Sequence, residues 1–302
     1  MFGQALKRAV VGVGAAGAML IGLGLSPASA ALVPFTWNPS GASPPLSTAG
    51  SFTADSFTLG DFAHIHISSS GAFTEDGYLK IKAFQLGPST TLTPGLNSAA
   101  GATAYELYFH FTGTGTLGTG LGGPYPGCIA ATLCKGSFSS LSYSMYGDVG
   151  GLANFGFSGN TPIVSPPGTP VLLATGSLFT GCLGCTNTVS LDFSAGAIPI
   201  PSASVSATFN PDLPLQAGFF VSPLITLDIE DAFTNTIGVT SISSACVTIS
   251  DPACRDVLIE NGGGNADFFA APRRIPEPGS LLLLGTGLLG WAGASRRRRA
   301  RA

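Results

Sequence analysis

Charge is scarce in this 302-residue sequence, and basic charge is the scarcest kind. Only 10% of the residues are Asp, Glu, Lys or Arg, and seven of the 13 basic residues lie in two terminal segments, at Lys7, Arg8 and an arginine cluster near the end. The other six accompany 16 acidic residues, so the body carries a net charge of −10. Nucleic acids and anionic membranes are bound by clusters of Lys and Arg. We therefore expect the body to bind neither.

Helical periodicity and the common catalytic motifs are also missing. The sequence has no amphipathic helical run, and its 42 Gly and 22 Pro residues disfavour long helices. It has no G-x-S-x-G elbow, P-loop or H-E-x-x-H motif. Residues Gly113–Gly118 match G-x-G-x-x-G, but more glycines and two prolines follow where a nucleotide-binding helix would begin, so we interpret Thr112–Gly127 as a loop between strands. We expect no catalytic activity and no cofactor.

Alternation of apolar residues with Ser and Thr is the strongest pattern in the body. Segments 140–146, 188–194 and 204–210 each place three apolar residues on one face of a strand. Short strands separated by Gly, Pro and Asn predict an all-β fold, specifically an antiparallel β-sandwich of the jelly-roll or Ig-like kind. Six further segments read as strands: 62–68, 78–86, 104–111, 171–179, 224–230 and 240–249.

The beginning of the chain reads as an export signal. Lys7 and Arg8 precede an apolar stretch, Ala9–Leu25, and Ala28-Ser29-Ala30 is a small-residue cleavage site. An uncleaved membrane helix is the alternative, which the Ser26-Pro27 pair disfavours. The predicted organisation is a signal peptide at residues 1–30, a Pro/Ser/Gly-rich linker at 31–50, a β domain at 51–260 and a flexible stalk at 261–274.

Three features follow in order in residues 275–302. Pro276, Glu277 and Pro278 form a stiff, extended triplet, and the uncharged stretch Gly279–Ala294 can form a single, short membrane helix. The arginines behind it favour the cytoplasmic side of the membrane, which leaves the body outside; a buried core helix with a basic tail is the alternative. The arginines are Arg296, Arg297, Arg298, Arg299 and Arg301.

This order of triplet, apolar helix and arginine cluster resembles the PEP-CTERM sorting signal of Gram-negative bacteria. The resemblance implies recognition by an exosortase, a membrane transpeptidase, with a transient stage in the inner membrane before transfer to the cell surface or the extracellular matrix. In the body, residues 51–65, 71–87 and 94–98 resemble flocculation-associated PEP-CTERM proteins. That second resemblance implies a role among secreted polysaccharides, in biofilms or flocs.

The six cysteines fall into three close pairs. An even number of cysteines in an exported chain indicates disulfides, and the spacing favours closure between neighbours. A redox C-x-x-C motif or half of a zinc site are the alternatives for residues 182–185. The predicted bonds are Cys128–Cys134, Cys182–Cys185 and Cys246–Cys254.

Two groups of residues are candidate metal ligands. His64 and His66 project from the same side of one strand and His110 from another, so pairing of these strands would assemble a three-histidine site. Ordinary strand histidines, bonded to Ser and Thr, are the alternative. Asp228, Glu230 and Asp231 offer oxygen ligands for a structural calcium ion.

Three classes of function therefore stay open. A non-catalytic surface or matrix protein associated with exopolysaccharide is our main interpretation. The first alternative is a carbohydrate-binding module in which Tyr108 or Tyr146 stacks on sugar rings. The second is a metal-dependent enzyme that uses His64, His66 and His110.

Overall fold

Long strands with alternating burial form the framework of the molecule. The computed structural model describes residues 32–68, 70–91, 93–118, 133–150, 152–166, 168–179, 187–192, 200–212, 215–222, 227–230, 239–242 and 254–270, which belong to one unit beginning at Leu32. Within these ranges there is one 3₁₀ turn, Pro39–Gly41, and no α-helix. The strands are β1 (Phe35–Trp37), β2 (Phe52–Ala54), β3 (Ser56–Ser68), β4 (Ala72–Leu86), β5 (Ser89–Thr90), β6 (Tyr105–Leu117), β7 (Leu133–Val149), β8 (Asn154–Ser158), β9 (Thr161–Ser165), β10 (Val171–Ser177), β11 (Asn187–Asp192), β12 (Ile200–Val205), β13 (Ala207–Pro211), β14 (Phe220–Ser222), β15 (Leu227–Glu230), β16 (Val239–Ile242) and β17 (Cys254–Ala270).

Twelve of these strands form one curled antiparallel sheet. Its order is β10-β13-β15-β17-β3-β4-β6-β7-β11-β12, with β5 on β4 and β16 on β17. β10 also pairs with β7, from Val171 opposite Gly147 to Ser177 opposite Ser142, so the sheet curls until its first strand meets β7. The all-β, antiparallel prediction is confirmed. The sandwich is not, because pairing runs without a break from β10 to β12.

The predicted strands lie where the alternation placed them. Each of the nine predicted segments overlaps a strand, and the inward positions of 140–146, Leu141, Tyr143 and Met145, are buried. Segment 204–210 is divided, because β12 ends at Val205 and β13 begins at Ala207. Alternation predicts which side chains face inward and not where a strand ends. The predicted inward residues Val205, Ala207 and Phe209 are all buried.

The Gly- and Thr-rich segment after residue 112 is a strand for its first part, in contrast to the predicted loop. β6 continues to Leu117 and pairs with β4 and β7. A side chain at Gly113 would collide with the ring of Phe138, and one at Gly115 with the ring of Phe73. Glycine is therefore required here by close packing of rings from neighbouring strands.

An aromatic cluster fills one part of the core, and its centre is Trp37. β1, β2 and β14 form a separate three-stranded sheet, which packs on the large sheet through Trp37. The Trp37 ring centroid lies 4.9 Å from that of Phe84 on β4 and 5.6 Å from that of Phe268 on β17. Phe35, Trp37 and Leu46 are fully buried, so the segment predicted as a linker belongs to the core. Its prolines and serines form turns between these apolar anchors.

The predicted stalk is also part of the fold, up to residue 270. β17 pairs with β3 from Cys254 opposite Ser68 to Asp267 opposite Ser56, through the three consecutive glycines. Phe268 is fully buried. Local composition suggested flexibility, but β3, whose paired residues lie more than 200 positions earlier in the sequence, supplies the hydrogen bonds.

Candidate functional site

Two of the three histidines share one carboxylate on the outer side of the large sheet. His64 and His66 lie on β3, and Asp256 lies opposite His66 on β17. Asp256 Oδ1 is 2.8 Å from His64 Nε2 and 2.8 Å from His66 Nδ1. Burial alone would raise the pKa of Asp256, but the hydrogen bonds with His66 and His64 and the electrostatic interaction with both histidines together outweigh it and lower that pKa.

The third histidine belongs to a different pair. His110 Nε2 on β6 is 2.9 Å from Asp76 Oδ1 on β4, and β4 lies between β3 and β6. The structure therefore does not bring His64, His66 and His110 together, which corrects the predicted three-histidine site. Across the described ranges, no group of three or more His, Cys, Asp or Glu residues is arranged to hold a metal ion.

A band of hydroxyl groups lies beside the histidines on the same outer side. Thr112 and Ser142 are opposite each other, with hydroxyl oxygens 3.0 Å apart, and Thr114 and Ser140 follow with 2.6 Å. All of these side chains are exposed. We call this band the hydroxyl face; it consists of Thr112, Thr114 and Thr116 on β6 and Ser139, Ser140 and Ser142 on β7.

The hairpin formed by β8 and β9 covers another part of the outer side. Phe155 on β8 stacks on Phe62, with ring centroids 5.3 Å apart, and contacts Tyr108 edge-on at 5.6 Å. Tyr108 is only 2% exposed as a result, so the prediction that it stacks on sugars is wrong. Tyr146 is half-buried and stacks on Tyr108 at 5.7 Å.

Buried charges anchor the segment that leads into this hairpin. Glu106 and Asp148 are directly opposite each other on β6 and β7, and both are fully buried. Glu106 forms an ion pair with Lys80 and accepts a hydrogen bond from the amide of Ala153. Asp148 Oδ1 accepts one from the amide of Val149, 2.9 Å away, while burial raises the pKa of Asp148. This group, which no sequence motif predicted, attaches the segment before the β8–β9 hairpin to the sheet.

Two acidic residues on the inner side of the sheet were also missed. Asp61 on β3 and Glu75 on β4 point into the core and line one cavity of about 30 Å³. Glu75 is 9% exposed, and burial, reinforced by the charge of Asp61, raises its pKa to about 8. Each acid lies on the apolar face of its strand. Leu59 and Ile65, for example, lie on the same face of β3 as Asp61, and both are buried. That interruption of the alternation was the available signal.

Several predicted residues lie outside the described part of the structure. They include the signal peptide, the sorting triplet Pro276-Glu277-Pro278, the apolar stretch 279–294 and the arginines Arg296–Arg299 and Arg301. The side chains of the six cysteines and of Asp228, Glu230 and Asp231 are outside it as well, so the disulfides and the calcium site stay predictions. Among the helices of the described ranges, none is long and apolar enough to cross a membrane.

Comparison with known proteins finds a match, which lies near the C-terminal end of the chain. No curated protein and no solved structure matches the chain, and the resemblance of the body to flocculation-associated proteins is not confirmed. A family model described as the PEP-CTERM protein-sorting motif matches residues 274–299. That motif implies an exported protein sorted at the membrane by an exosortase. The chain therefore carries a PEP-CTERM protein-sorting motif, as its Pro-Glu-Pro triplet and arginine cluster predicted.

Proposed function

We propose that this chain is a non-catalytic protein of the cell surface or extracellular matrix, delivered by an exosortase and associated with exopolysaccharide in biofilms or flocs. The observation that carries the proposal is the sorting motif at residues 274–299. A second observation supports it: the described body is a single, heavily hydrogen-bonded β unit, which suits a durable matrix component. The metal-dependent alternative has less support, because among the described residues His110 bonds to Asp76 and lies apart from His64 and His66.

Each part of the motif has a separate physical task. The arginines hold their end of the chain in the cytoplasm, and the apolar stretch 279–294 keeps it in the inner membrane. Pro276 and Pro278 lack amide hydrogens and fix their own backbone angle, so the triplet stays extended at the outer interface, where an enzyme can bind it. A plain anchor would need no such rigidity.

Replacing Pro276 and Pro278 together by Ala is expected to abolish processing. The intact mass of the wild-type protein from the extracellular fraction should correspond to a chain that begins at Ala31 and ends between about residues 275 and 281. The double variant should stay in the inner membrane with its arginines, because a flexible triplet can join the helix. Mass spectrometry of both cell fractions measures this.

Pro272→Ala is the matched control, since this proline lies outside the matched residues 274–299. It should be trimmed and exported like the wild type. Recovery of Trp291 in surface protein, or normal trimming of the double variant, would contradict the proposal.

Carbohydrate binding is the second candidate function, and the hydroxyl face favours it. Exposed Ser and Thr hydroxyls both donate and accept hydrogen bonds, which matches the hydroxyl groups of a neutral sugar chain. None of its six side chains is charged, and the half-exposed carboxyl of Asp76 lies opposite Thr112 at its edge, so the face suits a neutral polymer better than an anionic one. The half-buried ring of Tyr146 lies on the same strand as Ser142 and adds an apolar contact for a sugar ring.

Replacing Thr112 and Thr114 by Val is expected to weaken binding to the host's exopolysaccharide about tenfold. Each lost hydrogen bond to the sugar contributes about 0.5–1.5 kcal/mol, and two of them account for that factor. Valine keeps the shape of threonine and favours strands, so the fold should persist. Co-sedimentation with the purified polysaccharide gives the affinity.

The control is Thr161→Val, an exposed threonine on β9, away from the hydroxyl face. It should bind like the wild type. Equal binding by all three proteins would remove the carbohydrate-binding candidate but leave the sorting proposal intact.

A further inference from the structure

The inner cavity combines acidic groups with apolar walls. Nine of its twelve lining residues are apolar, and the other three are Asp61, Glu75 and Ser202. Among the residues that the structure describes, no Lys, Arg or His lines it. Glu75 is nine-tenths buried, and no hydrogen bond or ion pair joins its carboxyl to another described residue. A buried carboxyl without a partner is costly unless a proton or a cation neutralises it.

The cavity lies inside the curled sheet, between β3 and β4 on one side and β11 and β12, the last two strands of the sheet order, on the other. Glu75 is on β4, Val189 is on β11, and Ser202 and Val205 are on β12. β12 is the terminal strand of the sheet order and pairs only with β11 in the described structure. The side of the cavity formed by β12 is therefore the side held by the fewest strand pairings.

We propose that this cavity binds a primary ammonium group, held by the carboxyl of Glu75 in the electrostatic field of Asp61 and against the rings of Phe111 and Phe138. The size fits, because a space of about 30 Å³ on this measure exceeds the 10–15 Å³ or so that one water molecule needs. Aromatic faces attract ammonium groups, and Phe111 and Phe138 both line the cavity.

Other classes of ligand fit less well. An anion would be repelled by two acidic residues, and a purely apolar molecule would leave the Glu75 carboxyl without a partner. Calcium takes about six to eight oxygen ligands, whereas only three of the described lining residues, Asp61, Glu75 and Ser202, have a side-chain oxygen. An organic ammonium matches both the acids and the apolar walls.

The test is titration of the purified protein with methylammonium chloride by calorimetry, at constant ionic strength and pH 7. Saturable binding is expected with methylammonium. None is expected with tetramethylammonium, which has the same charge but is too large, or with methanol, which is similar in size but uncharged. A soluble glucosamine polymer distinguishes a free amine from an amine on a polysaccharide: binding of the polymer as well would assign the site to matrix amines.

Glu75→Gln should weaken methylammonium binding at least tenfold, whereas Asp76→Asn, the neighbouring carboxyl on the outer side, should leave it unchanged. A measurement without mutation complements these variants. Burial raises the pKa of Glu75 to about 8, so we expect binding at pH 7 to displace its proton, seen as a dependence of the measured heat on the ionisation enthalpy of the buffer. Equal binding of methylammonium and tetramethylammonium, or no binding of methylammonium by the wild type, would overturn the proposal.

Discussion

The Trp37→Ala variant is expected to lose about 3–5 kcal/mol of the free energy of unfolding, which is the range for truncating a fully buried aromatic residue. Trp37 is 0% exposed. Its ring centroid lies between 4.9 and 6.4 Å from those of seven phenylalanines, contributed by both sheets. Truncation would leave a cavity at the junction of the sheets, where collapse of one sheet onto the other is limited by the rings around it. Urea unfolding followed by circular dichroism measures the loss.

Two further variants separate packing from other effects. Trp37→Phe should lower the free energy of unfolding much less, because an aromatic ring stays in the cluster. The indole N–H that this variant removes has no hydrogen-bond partner within the described residues. Leu215→Ala, at a side chain that is 63% exposed, should change the free energy of unfolding by less than about 0.5 kcal/mol. A loss below about 1 kcal/mol for Trp37→Ala would instead agree with a flexible linker at residues 31–50.

The sequence predicted which face of a strand a residue occupies better than it predicted which strands pair. Along β7, alternation identified Leu141, Tyr143 and Met145 as inward residues, and all three are buried. Alternation repeats every two residues in any strand, so it carries no information about which strand lies next to which. The arrangement of β3, β4 and β6 depends on pairing, and it decides that His110 meets Asp76 rather than His64.

Composition misled the prediction at both edges of the β unit. Residues 37–50 are rich in Pro, Ser and Gly, and 261–265 are Asn and Gly, so both read as flexible. In the structure, Trp37 anchors the first segment and pairing with β3 orders the second. Such order depends on contacts that are distant in sequence, and a local average of composition does not detect them.

The inner acids could have been predicted from the pattern alone. Glu75 has the same parity as Phe73 and Leu79 on its strand, and Asp61 the same parity as Leu59 and Ile65. An ionisable residue on an apolar face costs stability unless it has a role or a partner. Residue type alone does not separate these two acids from the other fourteen; their position in the alternation does.

Glu75→Gln is expected to stabilise the protein by a few kcal/mol at pH 9 and to change its stability little at pH 5. The pKa of Glu75 is raised from 4.5 to about 8, chiefly by burial. The folded protein therefore holds a proton that the unfolded chain releases above pH 4.5. The contribution of this group to stability is full below pH 4.5 and is lost as the pH rises to about 8. Glutamine resembles the neutral form and has no proton to lose, so the curves of the two proteins should separate across this window.

The upper limit of the separation follows from the size of the shift. At 1.36 kcal/mol for each pKa unit, a rise from 4.5 to about 8 corresponds to about 5 kcal/mol, reduced by any water that enters when Glu75 ionises. Urea unfolding at steps between pH 5 and 9, followed by the fluorescence of Trp37, gives both curves. Asp76→Asn changes a carboxyl with a side chain that is 42% exposed on the outer side, and its curve should not diverge from that of the wild type between pH 7 and 9. Parallel curves for the wild type and Glu75→Gln from pH 5 to 9 would mean that Glu75 ionises in the folded state near its ordinary pKa. The carboxyl would then have a neutralising partner, and the cavity would have no need of a proton at neutral pH.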